Sequence, residues 1–361
     1  MLDIPKRTSL SSQAAAAIRK GINDGSWNEF LPSERRLCEM FQVSRPTIRT
    51  ALHLLAKDGL IDIRQGRRNR IIARPRPPVA VQNRLVVIVT HEPVPFMSIA
   101  SYHSISEMRA HLAEHGFVTE IFVCQARGAV AQRRKLETFL RQNRVFCCVL
   151  LSVSQELQQW FASHSIPALV LGSCHPSVQL PSLDVDQRSV CRHAAGIFLG
   201  KGHRRMALVV PDSGVAGDLA GEQGFLEAVD QRARSDDARA VILRHNGTAQ
   251  NISAKLDALF NSPRAPTALL VAKPSHMFIV VLYLLKRGLT VPDTVSLISR
   301  DFDTLFLNTL PPIAHYAFDG DSFNHRLTRL MLQMVGQGYL PPEPNLMFPR
   351  FVLGGTVKSL V

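Results

Sequence analysis

The stretch LPSERRLCEMFQVSRPTIRTALHLLAKDGLIDIRQG, residues 31–66, decides how the front of this chain folds. Ser33 stands where a hydroxyl can cap the first amides of a helix, and Leu37, Met40 and Phe41 follow at the spacing of one buried helical stripe. Gln42-Val43 makes a tight turn. Ser44 can then cap a further helix, Arg45 to Asp58, with Ile48, Leu52 and Leu55 on its apolar face and Pro46 in its first turn, where a missing amide costs nothing. Leu60 to Arg64, Gln65-Gly66 and Ile71-Ile72 predict a two-stranded wing after it. Upstream, Leu10, Ala14, Ala17, Ile18 and Ile22 space out an amphipathic helix from about Ser9 to Asp24.

Two short helices joined by a turn and followed by a wing form a helix-turn-helix, and the arginines fall where such a unit can use them. Arg45 and Arg49 share one face at i and i+4. With Thr47 they crowd the amino-terminal half of the second helix, the part that reaches base edges in a major groove. The two parallel donors of arginine match two acceptors on guanine. Arginine is concentrated before residue 80 (Arg35, Arg36, Arg45, Arg49, Arg64, Arg67, Arg68, Arg70, Arg74, Arg76), and the net charge of +13 favours an anionic partner. A charge run alone is usually a solvated face, and Arg36, Arg74 and Arg76 occupy no motif position.

In this order of motifs the stretch resembles the GntR-type winged helix over nearly the whole of such a domain. The resemblance implies double-stranded DNA contacts by Arg35, Ser44, Arg45, Thr47 and Arg49, with the wing around Gly66 (Arg67, Arg68 and Arg70) at the minor groove or phosphates. Members often carry a second glycine in the wing, where this chain has Arg68.

A chain of 361 residues exceeds one average domain, and 46% apolar with 20% charged residues describes an ordinary globular composition. The longest apolar run, Met277 to Leu285, is too short to cross a bilayer and is broken by Lys286 and Arg287. The amino terminus has no apolar core followed by a small-residue cleavage site, so a cytoplasmic protein without membrane association is expected. Cys38, Cys124, Cys147, Cys148, Cys174 and Cys191 form no CxxC pair and are read as reduced, with no disulfide, metal or cofactor.

Domain organisation follows from the change in pattern: residues 1–74 form the DNA-binding domain, the basic, proline-rich residues 75–83 a linker, and residues 84–361 a sensor. From Leu85 onward, short apolar runs (85–89, 118–124, 145–151, 168–171, 206–210, 240–243, 268–271, 295–298) alternate with helical segments (105–115, 133–141, 189–199, 221–228, 252–260, 275–287). Such alternation predicts an α/β fold of doubly wound parallel sheets in two subdomains. Ligands of open parallel sheets sit at the carboxyl ends of strands, which nominates Thr90, His91, Ser152, Asp212, Lys273, His276, Asp301 and Asp303. Carboxylates beside basic groups suit hydroxyl-rich molecules. Asp301 and Asp303 can instead cap a loop, and His276 can simply start its helix.

The region resembles the LacI-type, periplasmic-binding-protein-like sensor over residues 84–361. Its anchors are Leu183-Asp184-Val185-Asp186, Gly200-Lys201-Gly202-His203-Arg204-Arg205, Gly224-Phe225, Pro266-Thr267-Ala268, Arg287 to Asp293 and Val295 to Ile298. The resemblance implies two subdomains joined by crossings near Asp186, Pro311 and Gly338, and closure on a small polar effector such as a sugar. Members often carry an arginine shortly before the Gly-Phe pair, where this chain has Ala220-Gly221-Glu222-Gln223, and an asparagine-aspartate pair in place of Lys273-Pro274.

Function follows as a sequence-specific transcription regulator, a repressor by resemblance, whose operator affinity a ligand modulates. The segment His276 to Leu285 is apolar nearly all round, so it predicts a homodimer on a palindromic operator. A protein effector, or none, is the alternative. An enzyme is not expected, since no GxSxG, HExxH or phosphate-loop motif occurs.

Overall fold

The computed structural model describes residues 10–23, 27, 29–57, 60–63, 68–71, 84–91, 93–124, 129–164, 166–233, 237–317 and 320–361. The chain divides into two compact units, residues 1–82 and 83–361. The expected linker, 75–83, lies outside the described residues.

The first unit holds α1 (Leu10–Asn23), α2 (Glu34–Phe41), α3 (Arg45–Lys57), β1 (Ile61–Asp62) and β2 (Arg70–Ile71). Strands β1 and β2 pair antiparallel. The segment before α2 adds a third strand: Phe30 bridges Arg70, Leu31 donates its N–H to Asn69 (3.0 Å), and Ile71 donates to Glu29 (2.9 Å). Ile18, Ile22, Leu31, Leu37, Ile48, Leu52, Leu55, Ile61 and Ile71 form one core among the helices and this small sheet. Met40, expected inside, is 51% exposed, because α2 is only eight residues long and turns Leu37 alone fully inward.

The second unit is built on two six-stranded sheets. The first contains β3 (Leu85–Thr90), β4 (Val118–Val123), β5 (Cys147–Leu151), β6 (Ala168–Leu171), β7 (Ser182–Val185) and β13 (Pro344–Met347), in the order 13-7-6-5-3-4, all parallel. Helices α4 (Ile99–Glu114) and α11 (Gly320–Gln337) cover one face, and α5 (Ala129–Gln142) and α6 (Gln155–Ala162) the other. The second sheet contains β8 (Arg205–Pro211), β9 (Arg239–His245), β10 (Ala268–Val271), β11 (Ser296–Ser299), β12 (Ala314–Ala317) and the antiparallel β14 (Arg350–Val352), in the order 14-12-11-10-8-9. It is enclosed by α7 (Gln187–Gly200) with α8 (Ala216–Ala233), and by α9 (Ala249–Phe260) with α10 (Pro274–Lys286). Strands β5, β10 and β11 are buried along their whole length, as strands covered on both faces must be.

The chain passes between the sheets three times: at Asp186, between Ala317 and Gly320, and between Met347 and Arg350. The first position is the expected one. The other two are corrected: Pro311 lies in the loop that leads into β12 of the same sheet, and Gly338 (φ 70) ends α11 ahead of β13 in the first sheet. Helix α8 also begins earlier than the sequence suggested, at Ala216, so Gly221 and Gly224 are interior positions. At Gly224 a Cβ would fall on the Arg188 carbonyl, so the missing side chain is what lets α8 lie close against α7.

A late segment completes the second sheet. Strands β11 and β12 pair over only two residues, Ile298 with Ala314 and Ser299 with His315. Buried Thr356 joins them further along: its hydroxyl donates to Leu297 O (2.7 Å) and accepts from Ala314 N–H (2.9 Å), and its carbonyl accepts from Leu297 N–H (2.8 Å).

Candidate DNA interface and ligand cleft

In the first unit Ser33 caps α2 by accepting from Arg36 N–H (3.3 Å), and Gln42 in the left-handed region (φ 51) turns the chain sharply toward α3. Ser44 caps α3: its Oγ accepts from Thr47 N–H (3.4 Å) and lies 2.8 Å from the Thr47 hydroxyl. Thr47 is half-buried and tied to the cap, whereas Arg45, Arg49, Thr50 and His53 are exposed along α3. His53 and Thr50 were not picked out from the sequence, although His53 continues the Arg45 and Arg49 face one turn on and Thr50 is exposed in the same helix. Arg45 and Arg49 each donate Nε–H to Glu34 Oε2 at 3.1 Å, which fixes both guanidinium groups on the outer face of the helix. Partial burial would raise the Glu34 carboxyl, but the two arginine bonds outweigh it and hold the group below its ordinary range. Arg35 lies apart from this pair, bonded to Glu39 at 3.0 Å. Arg68 and Arg70 are exposed at the wing, and Gly66 and Arg67 lie outside the described residues.

In the second unit the nominated ligand residues fall at strand ends, yet they do not form one cluster. Thr90, at the end of β3, is fully buried, and its carbonyl accepts from Cys124 N–H at 2.6 Å. His91 and Ser152 (φ 51) are half-buried at the same edge. Asp212 is exposed and bonded through its N–H to His245 O. Asp303 is corrected: its side chain accepts from Leu305 N–H (2.9 Å) and caps a 3-10 turn, the work of a loop residue. His276 packs edge-on against His245, with ring centroids 4.5 Å apart.

Lys273 and Asp301 do converge, on a charged group that the sequence reading missed. Arg300 is 5% exposed and reaches Asp218 at 2.8 Å and Asp301 at 4.0 Å. Asp218 also accepts from Ser213 (2.7 Å); burial opposes its charge, but Arg300 and Ser213 keep its carboxyl low. Burial pushes Asp301 up in spite of Arg300 and Lys273. From the first subdomain Asp184 faces this group, accepting from Ser173 (2.6 Å), with its carboxyl pushed up to about 6 by burial. Gly217 of α8 sits directly against Ser173, Asp184 and Gln187, so the two subdomains meet here. Arg300 Nε and Nη1 and Gln187 Oε1 are buried with no hydrogen-bond partner among the described residues. Stepping one residue back from Asp301 would have found Arg300, whereas Asp218 was hidden by the late start assigned to its helix.

Comparison with known proteins decides what these two units are. The model of bacterial regulatory proteins of the gntR family matches residues 10–71. These residues are a GntR DNA-binding domain. The periplasmic binding protein-like domain matches residues 195–357, which carry the second sheet, the Arg300 cluster and the Thr356 segment. An arabinose metabolism transcriptional repressor of Geobacillus stearothermophilus is 20% identical over 92% of this chain and 93% of its own length. A probable opine utilization operon repressor of Rhizobium rhizogenes is 27% identical over 48% of this chain and 92% of its own. Among solved structures, a LacI family transcriptional regulator from Bifidobacterium animalis covers 77% of this chain and 99% of its own, with TM-score 0.64 and 16% identity. At that identity the likeness establishes the fold. The protein is a transcription regulator in which a GntR head precedes a periplasmic binding protein-like domain. Among the described residues no helix is long and apolar enough to cross a membrane.

Proposed function

We propose that this regulator is a cytoplasmic repressor that binds a palindromic operator as a homodimer and changes its operator affinity when a small polar molecule, a sugar or sugar derivative, enters the sensor cleft. It acts by binding, without catalysis. One observation carries the ligand reading: Arg300 Nε, Arg300 Nη1 and Gln187 Oε1 are buried without protein partners where the two subdomains meet. Buried donors and acceptors in native proteins are almost always satisfied, and a hydroxyl can accept from Arg300 and donate to Gln187. Asp184, Asp218, Asp301 and Lys273 surround the same point, and the relative named for arabinose metabolism supports a sugar.

Coupling follows if the ligand binds the closed form better than the open one, because only closure brings Asp184 and Asp301 to the same molecule. Allosteric coupling of about 1 to 3 kcal/mol would move operator affinity roughly 5- to 150-fold. The dimer reading rests on α10, where Met277, Val280 and Leu284 are buried against the sheet while Leu282 and Leu285 are 65% and 73% exposed.

The test is a thermal-shift screen of the full chain against sugars, sugar phosphates and polyols, repeated with operator DNA and with Asp301→Ala. A stabilising compound that shifts operator affinity, and whose effect Asp301→Ala weakens, is the expected result. A screen without stabilising compounds, or a ligand that leaves operator affinity unchanged, overturns the ligand reading and favours a protein effector.

A further inference from the structure

The sensor carries a second basic surface, remote from the cleft. Arg84 lies at the amino-terminal edge of the first sheet: its carbonyl accepts from Val118 N–H (2.7 Å), and that of Leu85 accepts from Phe146 N–H (2.8 Å). Arg84 therefore stands between the turn that ends α4 and the turn that ends α5. Its Nη1 lies over Gly116, where a Cβ would come within 2.5 Å. Beside it, Arg144 follows Asn143 out of α5 in the left-handed region, with φ 46. Helices commonly end on glycine in that conformation, so an arginine there places a long cation on the edge against backbone preference.

Up the helix, Arg134, Thr138 and Arg141 share one exposed face at i, i+4 and i+7, with Lys135 exposed next to it. Of the nearby acids, Glu137 pairs with Arg133 at 3.5 Å and Glu114 with His111 at 3.4 Å, while Glu120, exposed on β4, bonds to none of the arginines of this edge among the described residues. Arg84, Arg134, Lys135, Arg141 and Arg144 have no carboxylate partner among the described residues. Unpaired arginines spread along an open surface suit evenly spaced phosphates better than a small ligand.

We propose that this edge contacts DNA phosphates flanking the operator, so that the sensor adds sequence-independent contacts to those made by the GntR head. The proposal builds on the DNA-binding role of that head and is independent of any effector. The same chain that enters the sensor at Arg84 leaves the head at Ile71, and the twelve residues between, whatever their path, reach at most about 45 Å. One turn of duplex is roughly 34 Å, so that length of chain matches flanking DNA about one turn from the head. An acidic protein partner is the competing occupant; continuity with the DNA-binding domain along the chain favours DNA.

The experiment uses the full chain and an operator first selected with it from a random duplex pool. Two duplexes are compared, one with the selected site alone and one with about two helical turns of mixed sequence on each side. The wild type should bind the flanked duplex more tightly and with a steeper salt dependence. In Arg84→Gln/Arg141→Gln/Arg144→Asn that gain should vanish, the slope on the flanked duplex should fall by about 2 to 3, and binding to the short duplex should be unchanged. Equal wild-type binding to both duplexes would overturn the proposal and leave the surface to an acidic partner. A flank gain kept by the variant, or an equal loss on both duplexes, would overturn it as well.

Discussion

Glu34, in the first turn of α2, accepts the Nε–H of Arg49 at 3.1 Å across the turn of the helix-turn-helix. The same oxygen holds Arg45, so one carboxylate orients both arginines on the exposed face of α3 and offsets part of their charge. Glu34→Gln should free them without changing the shape of the site. Affinity for arbitrary duplex should rise while the preference for operator narrows a few-fold, as expected for a partly exposed ion pair worth about 0.5 to 1 kcal/mol. Anisotropy titrations against operator and scrambled duplex measure both; an unchanged preference would refute the orienting role.

Arg49→Ala should cost about 1 to 3 kcal/mol on operator and relax preference at one base position, because Arg49 lies on the outer face of the recognition helix. Arg35→Ala removes a residue bonded to Glu39 within α2, off the recognition helix, so its loss should be more even across sequences. Selection of bound sequences by each variant separates the two: a position relaxed by the Arg35 variant and not by the Arg49 variant would reverse the assignment.

Gly224→Ala should destabilise the sensor by at least about 2 kcal/mol, since the new methyl has only the Arg188 backbone to meet. Gly336→Ala is the matched control. It lies exposed in α11, with nothing within 4 Å of a Cβ, and should be neutral or stabilising by up to about 1 kcal/mol. Thermal melts of the two variants should therefore shift in opposite directions or differ by several degrees; equal shifts would contradict the close approach of α8 to α7.

Asp184, pushed up to about 6 mainly by burial, keeps its proton in the folded chain at pH values where the unfolded chain has lost it. Its contribution to stability is complete below about 4, the ordinary value, and is lost as pH rises through about 6. Asp184→Asn removes that dependence. Between pH 4 and pH 7 the melting temperature of the wild type should thus fall relative to the variant. Parallel melting curves across that range would exclude the effect.

Legibility in the sequence followed the length of the periodic signal. Leu37, Ile48, Leu52 and Leu55 marked the helix-turn-helix, and the uninterrupted apolar strands β5 and β10 marked the parallel sheets. Strands β13 and β14 are short and half-exposed, so their composition carried little, and the last two crossings were placed too early in consequence. Helix α11 was missed although Leu327, Leu330, Met331 and Met334 recur at helical spacing. The strand-end rule nominated Lys273 and Asp301, which lie beside Arg300, and equally Asp303, which caps a 3-10 turn. Glu34 was invisible as an arginine partner because its bonds span residues eleven and fifteen apart, through a turn whose geometry the sequence does not state.

The placement of Thr356 sets an order of events on the ribosome. The GntR head is made from consecutive residues 10–71, but the first sheet lacks a strand until β13 emerges, and in the second β11 and β12 share only a two-residue pairing until β14 and Thr356 arrive. At bacterial elongation rates the head is in position to fold about 15 to 60 s before the sensor can be completed. A polypeptide interrupted in that interval would carry the DNA-binding head without a completed sensor.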